Sequence, residues 1–207
     1  MISRLKLEWQ TILLVVLIYA LFGFVTRYYH SLPGWFVFII GGYVVAWHGS
    51  LRHEAVHMHP TTSEQLNELL VLPSLDLYLP FRLYAQTHTK HHINQNLTDP
   101  ELDPESFYLS EKRWNVLPLV RQWSYWIFHT LAGRLLLYPF WMIPYFWFDE
   151  AQRLARGDIR NLQAWTWHLL GITLTMSWVI GVCGIPLWEY LLLFVYPGTS
   201  LTLLRSF

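Results

Sequence analysis

The chain has 207 residues, of which 54% are hydrophobic and only 14% are charged. Because soluble domains carry about 25% charged residues, this composition argues against a soluble globular protein. The basic and acidic residues balance at 14 each, which excludes a nucleic-acid binder that relies on excess positive charge. The single cysteine, Cys183, excludes a disulfide framework, a cysteine-held iron–sulfur cluster and a cysteine-rich zinc site.

Four apolar segments are each long enough to cross a lipid bilayer, which requires about 20 apolar residues in a helix. A turn at Pro33 and Gly34 joins the first two, and a turn at residues 183–186 joins the last two. This pattern predicts an all-α integral membrane protein with two transmembrane helical hairpins. The four predicted transmembrane helices span approximately residues 9–27, 33–51, 163–183 and 186–204.

The long segment between the hairpins, residues 52–160, is expected to lie on the cytoplasmic face and in the membrane interface. Within it, residues 122–148 are apolar, but Arg134 divides them into runs too short to cross. A single crossing here would also place the basic residues at 153, 156 and 160 outside, against their preference for the cytoplasmic side. We therefore predict interfacial helices for this stretch, rich in Trp and Tyr, and cytoplasmic N- and C-termini.

Two groups of histidines lie at the predicted boundary between membrane and cytoplasm, and the first of them continues directly from the second transmembrane helix. His53 and His57 are one helical turn apart and so share a helix face. His88, His91 and His92 fall within about 100° of arc on a helix and would converge in the same way. Imidazole suits iron, zinc and copper better than magnesium or calcium. The two groups together therefore predict a metal site.

The other histidines carry a weaker signal. His59 is a further candidate ligand, although Pro60 ends the helix directly after it. The remaining four have no partner at ligand spacing, and we expect them to be hydrogen-bonded structural residues: His30, His48, His129 and His168.

Two alternative interpretations remain open. Residues 53–57 also fit the H-E-x-x-H pattern of zinc metalloproteases, in which Glu54 would be the general base. That interpretation gives the second histidine group no role. It also needs a later carboxylate ligand, and Glu189 is predicted to lie at the opposite end of the membrane helices. The other alternative is an inactive membrane protein whose histidines hold no metal.

These motifs resemble those of the membrane fatty acid desaturase and hydroxylase superfamily, in particular its bacterial members. The resemblance rests first on His53-x-x-x-His57 and His88-x-x-His91-His92. It extends over nearly the whole chain, so that residues 1–207 are expected to form a single desaturase-like domain. Two further segments are similar to the family: Leu97-Thr98-Asp99-Pro100 with Asp103-Pro104-Glu105-Ser106, and the ending from Tyr196-Pro197-Gly198 to Leu204-Arg205-Ser206-Phe207.

The resemblance implies a four-helix membrane stem and a cytoplasmic cap that holds two non-haem iron ions, with O2 as co-substrate. It implies no catalytic residues beyond the metal ligands. Metal-bound imidazoles usually donate their other N–H to a carboxylate, so Glu54, Asp99 and Asp103 are candidate partners of the ligands. The implied ligands are His53, His57, His88, His91 and His92, with His59 as a sixth candidate.

The sequence also departs from the family pattern. Family members have a third histidine motif after the last membrane helix, and no histidine after His92 in this chain has a partner at ligand spacing. Five or six ligands are fewer than the family's set of eight or more. We therefore expect the chain to be C-terminally incomplete, to bind iron poorly or not at all, and to be inactive on its own.

The implied reaction inserts a double bond into a fatty acyl chain carried by a lipid, coenzyme A or an acyl carrier. Relatives with the same motifs hydroxylate alkanes or carotenoids, or decarboxylate fatty acids to terminal alkenes, and the motifs do not choose among these. The sequence has no haem, flavin or dinucleotide motif, so electrons are expected from an external ferredoxin or cytochrome b5-like donor. The expected location is the bacterial inner membrane, among membrane lipids and with no nucleic-acid partner.

Four basic residues are candidates for the surface on which an acidic electron donor would dock, although loosely spread basic residues more often set membrane topology. They are Arg82, Lys90, Lys112 and Arg113.

Overall fold

The computed structural model describes residues 7–93, 95, 98–103, 105–106 and 108–205. Within these ranges the regular elements are helices, accompanied by an isolated β-bridge between Leu7 and Thr61. The α-helices are α1 (Trp9–Arg27), α2 (Gly34–Val56), α3 (Glu64–Leu70), α4 (Phe81–Ile93), α5 (Glu111–Val116), α6 (Leu119–Phe128), α7 (Leu131–Leu136), α8 (Tyr138–Ala155), α9 (Leu162–Met176), α10 (Leu187–Tyr190) and α11 (Tyr196–Arg205). Tyr29–Ser31 is a 3₁₀-helix, and Ser177–Val182 and Leu191–Val195 are π-helical.

Three helical segments of the described chain are long and apolar enough to cross a membrane: Trp9–Arg27, Gly34–Val56 and Leu187–Leu204. The last of these combines α10, the second π-helical stretch and α11. The remaining predicted crossing, residues 163–183, differs, because α9 has 15 residues and continues directly into the six-residue π-helix Ser177–Val182. The all-α, membrane-type fold is confirmed, and these four helical segments are called the stem below.

The turn of the first hairpin contacts the second hairpin next to its own turn. Pro33 and Pro186 directly precede α2 and α10. Because proline has a fixed φ and no N–H, it starts a helix without leaving a donor unpaired. The hydroxyl of Tyr29 donates a hydrogen bond to Glu189. The turn between α1 and α2 is thereby held against the start of α10.

Helices α2 and α11 pack closely because glycine removes side-chain volume between them. A Cβ atom on Gly198 would lie 2.5 Å from Cβ of Val45. At that distance the two atoms would overlap, so one of the two helices would have to shift. Further along, a Cβ atom on Gly49 would lie 3.3 Å from Oγ1 of Thr202. Residue numbers rise in both helices from the first of these contacts to the second, so α11 runs parallel to α2. It runs toward the end of α2 that carries the first histidine group.

Residues 71–80, between α3 and α4, have no regular secondary structure and yet are inserted between the helices of the stem; we call them the re-entrant segment. Leu75 is 0% exposed and Val71 is 2% exposed. From the sequence, this segment was expected only as part of residues 52–160, on the cytoplasmic face and in the membrane interface. An irregular backbone at this depth requires protein partners for its polar groups, since lipid offers none.

Those partners come from helices on all sides of the re-entrant segment. The contacts are Arg52 Nη2 to Leu79 O (2.6 Å), Trp147 Nε1 to Tyr78 O (2.9 Å), His168 Nε2 to Leu77 O (3.3 Å) and Tyr190 Oη to Leu75 O (2.7 Å). Directly before the segment, Tyr19 Oη donates to the carbonyl oxygen of Leu70, the last residue of α3 (2.6 Å). Gly171 of α9 leaves room for the segment to pass, since a Cβ atom there would collide with the carbonyl oxygen of Leu72. The re-entrant segment is therefore hydrogen-bonded to the helices around it and packed between them.

The apolar stretch 122–148 is divided among α6, α7 and α8 and is not one continuous helix. Its aromatic side chains are largely exposed, including Trp123 at 65% and Trp126 at 70%. The hydroxyl of Tyr196 donates to the carbonyl oxygen of Leu136 at 3.2 Å and ties α7 to α11. The break-up of this stretch into three helices means that it is not one long crossing helix, and its location in the membrane interface stays a prediction.

Candidate metal centre

The two histidine groups meet at the end of α2. His53 lies in the last turn of α2 and His57 is its C-cap, one helical turn later. Helix α4 brings His88 and His92, also one turn apart, to the same place. One nitrogen of each of these four side chains lies within 4.8 Å of the corresponding nitrogens of the other three. We call these four residues the histidine cluster.

The spacing within the histidine cluster suits a metal ion. The Nε2 atom of His88 lies 3.2 Å from Nε2 of His57 and 3.1 Å from Nε2 of His92. With metal–nitrogen bonds of about 2.1 Å, neighbouring ligand atoms stand about 3.0 Å apart at right angles and about 3.4 Å apart at the tetrahedral angle. The observed separations fall between these limits. Four imidazoles are a donor set that fits iron, as they would zinc or copper.

Two members of the histidine cluster, His57 and His88, have environments that favour the neutral form of imidazole, which can bind a metal. Burial lowers the pKa of His57, and the neighbouring His53 and His92 lower it further, because several positive charges would repel at this distance. Burial also lowers the pKa of His88, although Glu105 acts in the opposite direction. A neutral ring has a lone pair to offer a metal, and a protonated ring has none.

Carboxylates contact the Nδ1 atoms of two cluster histidines. Nδ1 of His53 lies 3.3 Å from Oε1 of Glu54, and Nδ1 of His88 lies 3.1 Å from Oε1 of Glu105. A proton held on Nδ1 by a carboxylate leaves the Nε2 lone pair free for a metal. Glu105 was not among the predicted partners. It lies only two residues after the predicted Asp103, and sequence spacing could not show which of these carboxylates would meet His88.

His91 lies outside the histidine cluster and has its own carboxylate. Its Nδ1 atom lies 2.8 Å from Oδ1 of Asp103. Asp103 also accepts the backbone N–H groups of Thr98 and Glu105, at 2.8 and 3.0 Å. Burial raises the pKa of Asp103, but the hydrogen bonds from His91 and from these backbone groups outweigh burial and lower it. Asp103 is thus an ionised anchor that sets the direction of the His91 ring.

Two other predicted site residues have different partners in the structure. Nδ1 of His59 lies 2.7 Å from Oε2 of Glu8, at the start of α1, so His59 lies outside the histidine cluster. Asp99 accepts the backbone N–H groups of Glu101 and Leu102 through Oδ1, at 2.8 and 3.0 Å, and thereby shapes the turn that leads to Asp103.

The histidines predicted to be structural are hydrogen-bonded within the fold. The contacts are His30 Nε2 to Cys183 O (3.1 Å), His48 Nε2 to Tyr19 Oη (3.3 Å), His129 Nδ1 to Tyr125 O (2.7 Å) and His168 Nε2 to Leu77 O (3.3 Å).

The geometry gives little support to the zinc protease interpretation. Glu54 contacts Nδ1 of His53, and Glu189 is bonded to Tyr29 at the other end of the stem. Among the described residues, the group of potential ligands within 4.8 Å consists of histidines alone. Glu189 therefore does not supply the carboxylate ligand that the protease interpretation requires.

Two of the four basic residues considered for donor docking are already paired. Arg82 forms a two-point ion pair with Glu68, with Nη2 2.9 Å from Oε2. Nη2 of Arg113 lies 2.6 Å from Oε2 of Glu101. The basic docking face remains a prediction, with its net charge reduced by these two carboxylates.

Comparison with known proteins identifies the family. The family model described as fatty acid desaturase matches residues 29–205, which include both histidine motifs and the helices that carry them. No curated protein and no solved structure matches the chain. With the match covering most of the sequence, the chain belongs to the fatty acid desaturase family.

Proposed function

We propose that this protein is an iron-dependent oxidoreductase of the membrane that uses O2 to insert a double bond into a fatty acyl chain. The observation that carries the proposal is the histidine cluster at the end of membrane helix α2, in a chain of the desaturase family. Four imidazoles would hold iron without adding negative charge, and the adjoining carboxylates would keep the ligand atoms aimed.

The division of roles among the residues follows from their contacts. His53, His57, His88 and His92 would hold one iron ion. His91, aimed by the buried Asp103, would contribute to holding a second. When bound, iron would activate O2 so that an unactivated C–H bond can be oxidised. The number of matched motifs alone predicts weak iron binding, but the four converging imidazoles lead us to expect tight binding of the first ion and weaker binding of the second.

The location of the cluster suits a lipid substrate. α2 begins at Gly34 in an apolar span and carries the cluster at its end, so an acyl chain would approach without leaving apolar surroundings. Desaturation removes two hydrogen atoms from adjacent carbons and, with O2, two electrons and two protons, gives two molecules of water. The electrons would come from a ferredoxin or cytochrome b5-like protein on the cytoplasmic side.

Fatty-acid profiling of a host that expresses the complete gene tests the proposal. We expect new unsaturated acyl chains with the natural sequence and none with His88→Ala. His129→Ala is the matched control, because His129 bonds within its own helix and lies outside the cluster. New hydroxylated products or terminal alkenes would assign another oxidation to the same site. An unchanged profile with iron-loaded protein present would refute acyl-chain oxidation.

A further inference from the structure

The aromatic ring of Tyr84 faces His88, the central member of the histidine cluster. Tyr84 lies one helical turn before His88 on α4, and the two rings are stacked with centroids 5.2 Å apart and planes 20° apart. Offset-stacked aromatic rings at this distance attract each other and limit each other's rotation. His88 matters most in the cluster because its Nε2 atom is close to Nε2 of both His57 and His92.

The stack complements the hydrogen bond on the other ring nitrogen. Glu105 fixes the direction in which Nδ1 of His88 points. That hydrogen bond alone would still allow the imidazole ring to rotate about the line between Nδ1 and the carboxylate oxygen. A stacked neighbour blocks this rotation, because the ring would turn its edge into the face of Tyr84. The two contacts together restrain both the direction and the plane of the imidazole.

Tyr84 is in turn held from the stem. The guanidinium carbon of Arg52 lies 5.8 Å from the centre of the Tyr84 ring, within the range of a cation–π contact. Arg52 is itself fixed, with Nη1 2.6 Å from Oδ2 of Asp76 and Nη2 2.6 Å from the carbonyl oxygen of Leu79. Both partners belong to the re-entrant segment. A continuous set of contacts therefore runs from the re-entrant segment through Arg52 and Tyr84 to His88.

We propose that Tyr84 is a positioning residue: its ring, held by Arg52, sets the plane of His88 and so the metal affinity of the histidine cluster. The inference rests on the metal site of the proposed function. It assigns the effect to the ring and not to the hydroxyl group. Tyr84→Phe should therefore preserve the effect and Tyr84→Leu should abolish it.

The test is cobalt(II) binding to the purified chain in detergent, measured by competition with a chelator and by the visible absorption of bound cobalt. We expect Tyr84→Leu to bind cobalt about tenfold more weakly, the upper range of an aromatic pair's contribution, with an altered absorption band. Tyr84→Phe should match the natural protein in both measurements. Tyr28→Leu is the matched control, since Tyr28 is an exposed tyrosine at the opposite end of the stem.

The outcomes separate the inference from the proposed function. Cobalt binding by Tyr84→Leu equal to that of the natural protein would overturn the inference and leave the metal site intact. Tyr84→Phe as weak as Tyr84→Leu would also overturn it, because the hydroxyl would then be responsible. Failure of the natural protein to bind cobalt would refute the metal site itself. Should Tyr84→Leu not fold, Tyr84→Met fills a similar volume without a ring and carries the same expectation.

Discussion

The ion pair between Arg52 and Asp76 is expected to contribute strongly to the stability of the fold. The two side chains are 5% and 13% exposed, and Nη1 of Arg52 lies 2.6 Å from Oδ2 of Asp76. Ser74 donates its hydroxyl to the other carboxylate oxygen at 3.1 Å. Asp76→Asn keeps the shape of the side chain and removes its charge. The Arg52 cation would then be left where water scarcely reaches it.

The size of the effect follows from this geometry. Unit charges about 4 Å apart attract by about 4 kcal/mol at an effective dielectric constant of about 20. Loss of one partner from a buried pair costs about 3–5 kcal/mol, because the other charge remains desolvated. Arg52 has little other hydrogen bonding: Nη2 is bonded to Leu79, and Nε has no hydrogen-bond partner in the part of the chain that the structure describes. We expect Asp76→Asn to lower the free energy of unfolding by about 3–5 kcal/mol.

Unfolding by SDS in mixed micelles, followed by circular dichroism, measures this difference. The matched control is Glu101→Gln, which makes the same chemical change in an exposed pair. The side chains of Arg113 and Glu101 are 59% and 42% exposed, and such pairs contribute about 0–1 kcal/mol. If Asp76→Asn unfolds with the same free energy as Glu101→Gln, the pair does not stabilise the fold and the reasoning from burial is refuted.

Three further outcomes are expected. Gly198→Ala should lower the free energy of unfolding in the same assay by about 1–3 kcal/mol, because the added Cβ atom has no room. Gly23→Ala is the control and should be neutral or stabilising, because a Cβ atom there meets nothing within 4 Å. Equal effects of the two substitutions would contradict the packing argument. Glu105→Ala should weaken cobalt binding about 10–100-fold in chelator competition, whereas the exposed Glu111→Ala should leave it unchanged, and an equal affinity for both would exclude a role for Glu105. His91→Ala should retain one tightly bound cobalt ion in metal analysis, and loss of that ion would place His91 in the first site.

The helices and the histidine spacing were predictable because both depend on short-range periodicity. Residues 53 and 57 share a helix face whatever surrounds them, and the apolar runs of α1 and α2 require a membrane or a large core. Helix geometry also brought His88, His91 and His92 to one side of α4. It could not select between His91 and His92, which lie on either side of His88. That selection depends on Asp103, which comes from a separate loop and binds His91.

The re-entrant segment could not be predicted, because its partners lie far away in the sequence. Its composition is mostly apolar, with Ser74 and Asp76 as polar residues and Pro73 and Pro80 as helix breakers, and nothing in it names the partners of its carbonyl groups. Only the folded chain shows that Tyr190 and His168, about 100 residues later, meet the carbonyl groups of Leu75 and Leu77. The same long-range contacts explain why Asp76 enters the stem as a partner of Arg52.

The long sequence separation of these contacts has a consequence for biosynthesis. When residues 71–80 leave the ribosome, α9 and α10 do not yet exist, so the carbonyl groups of Leu75 and Leu77 have only water to bond. The segment can settle between the helices only after the second hairpin has entered the bilayer. Helix α4 follows the segment directly and carries His88 and His92. We therefore expect the nascent chain to bring the histidine cluster together only after the second hairpin has entered the membrane.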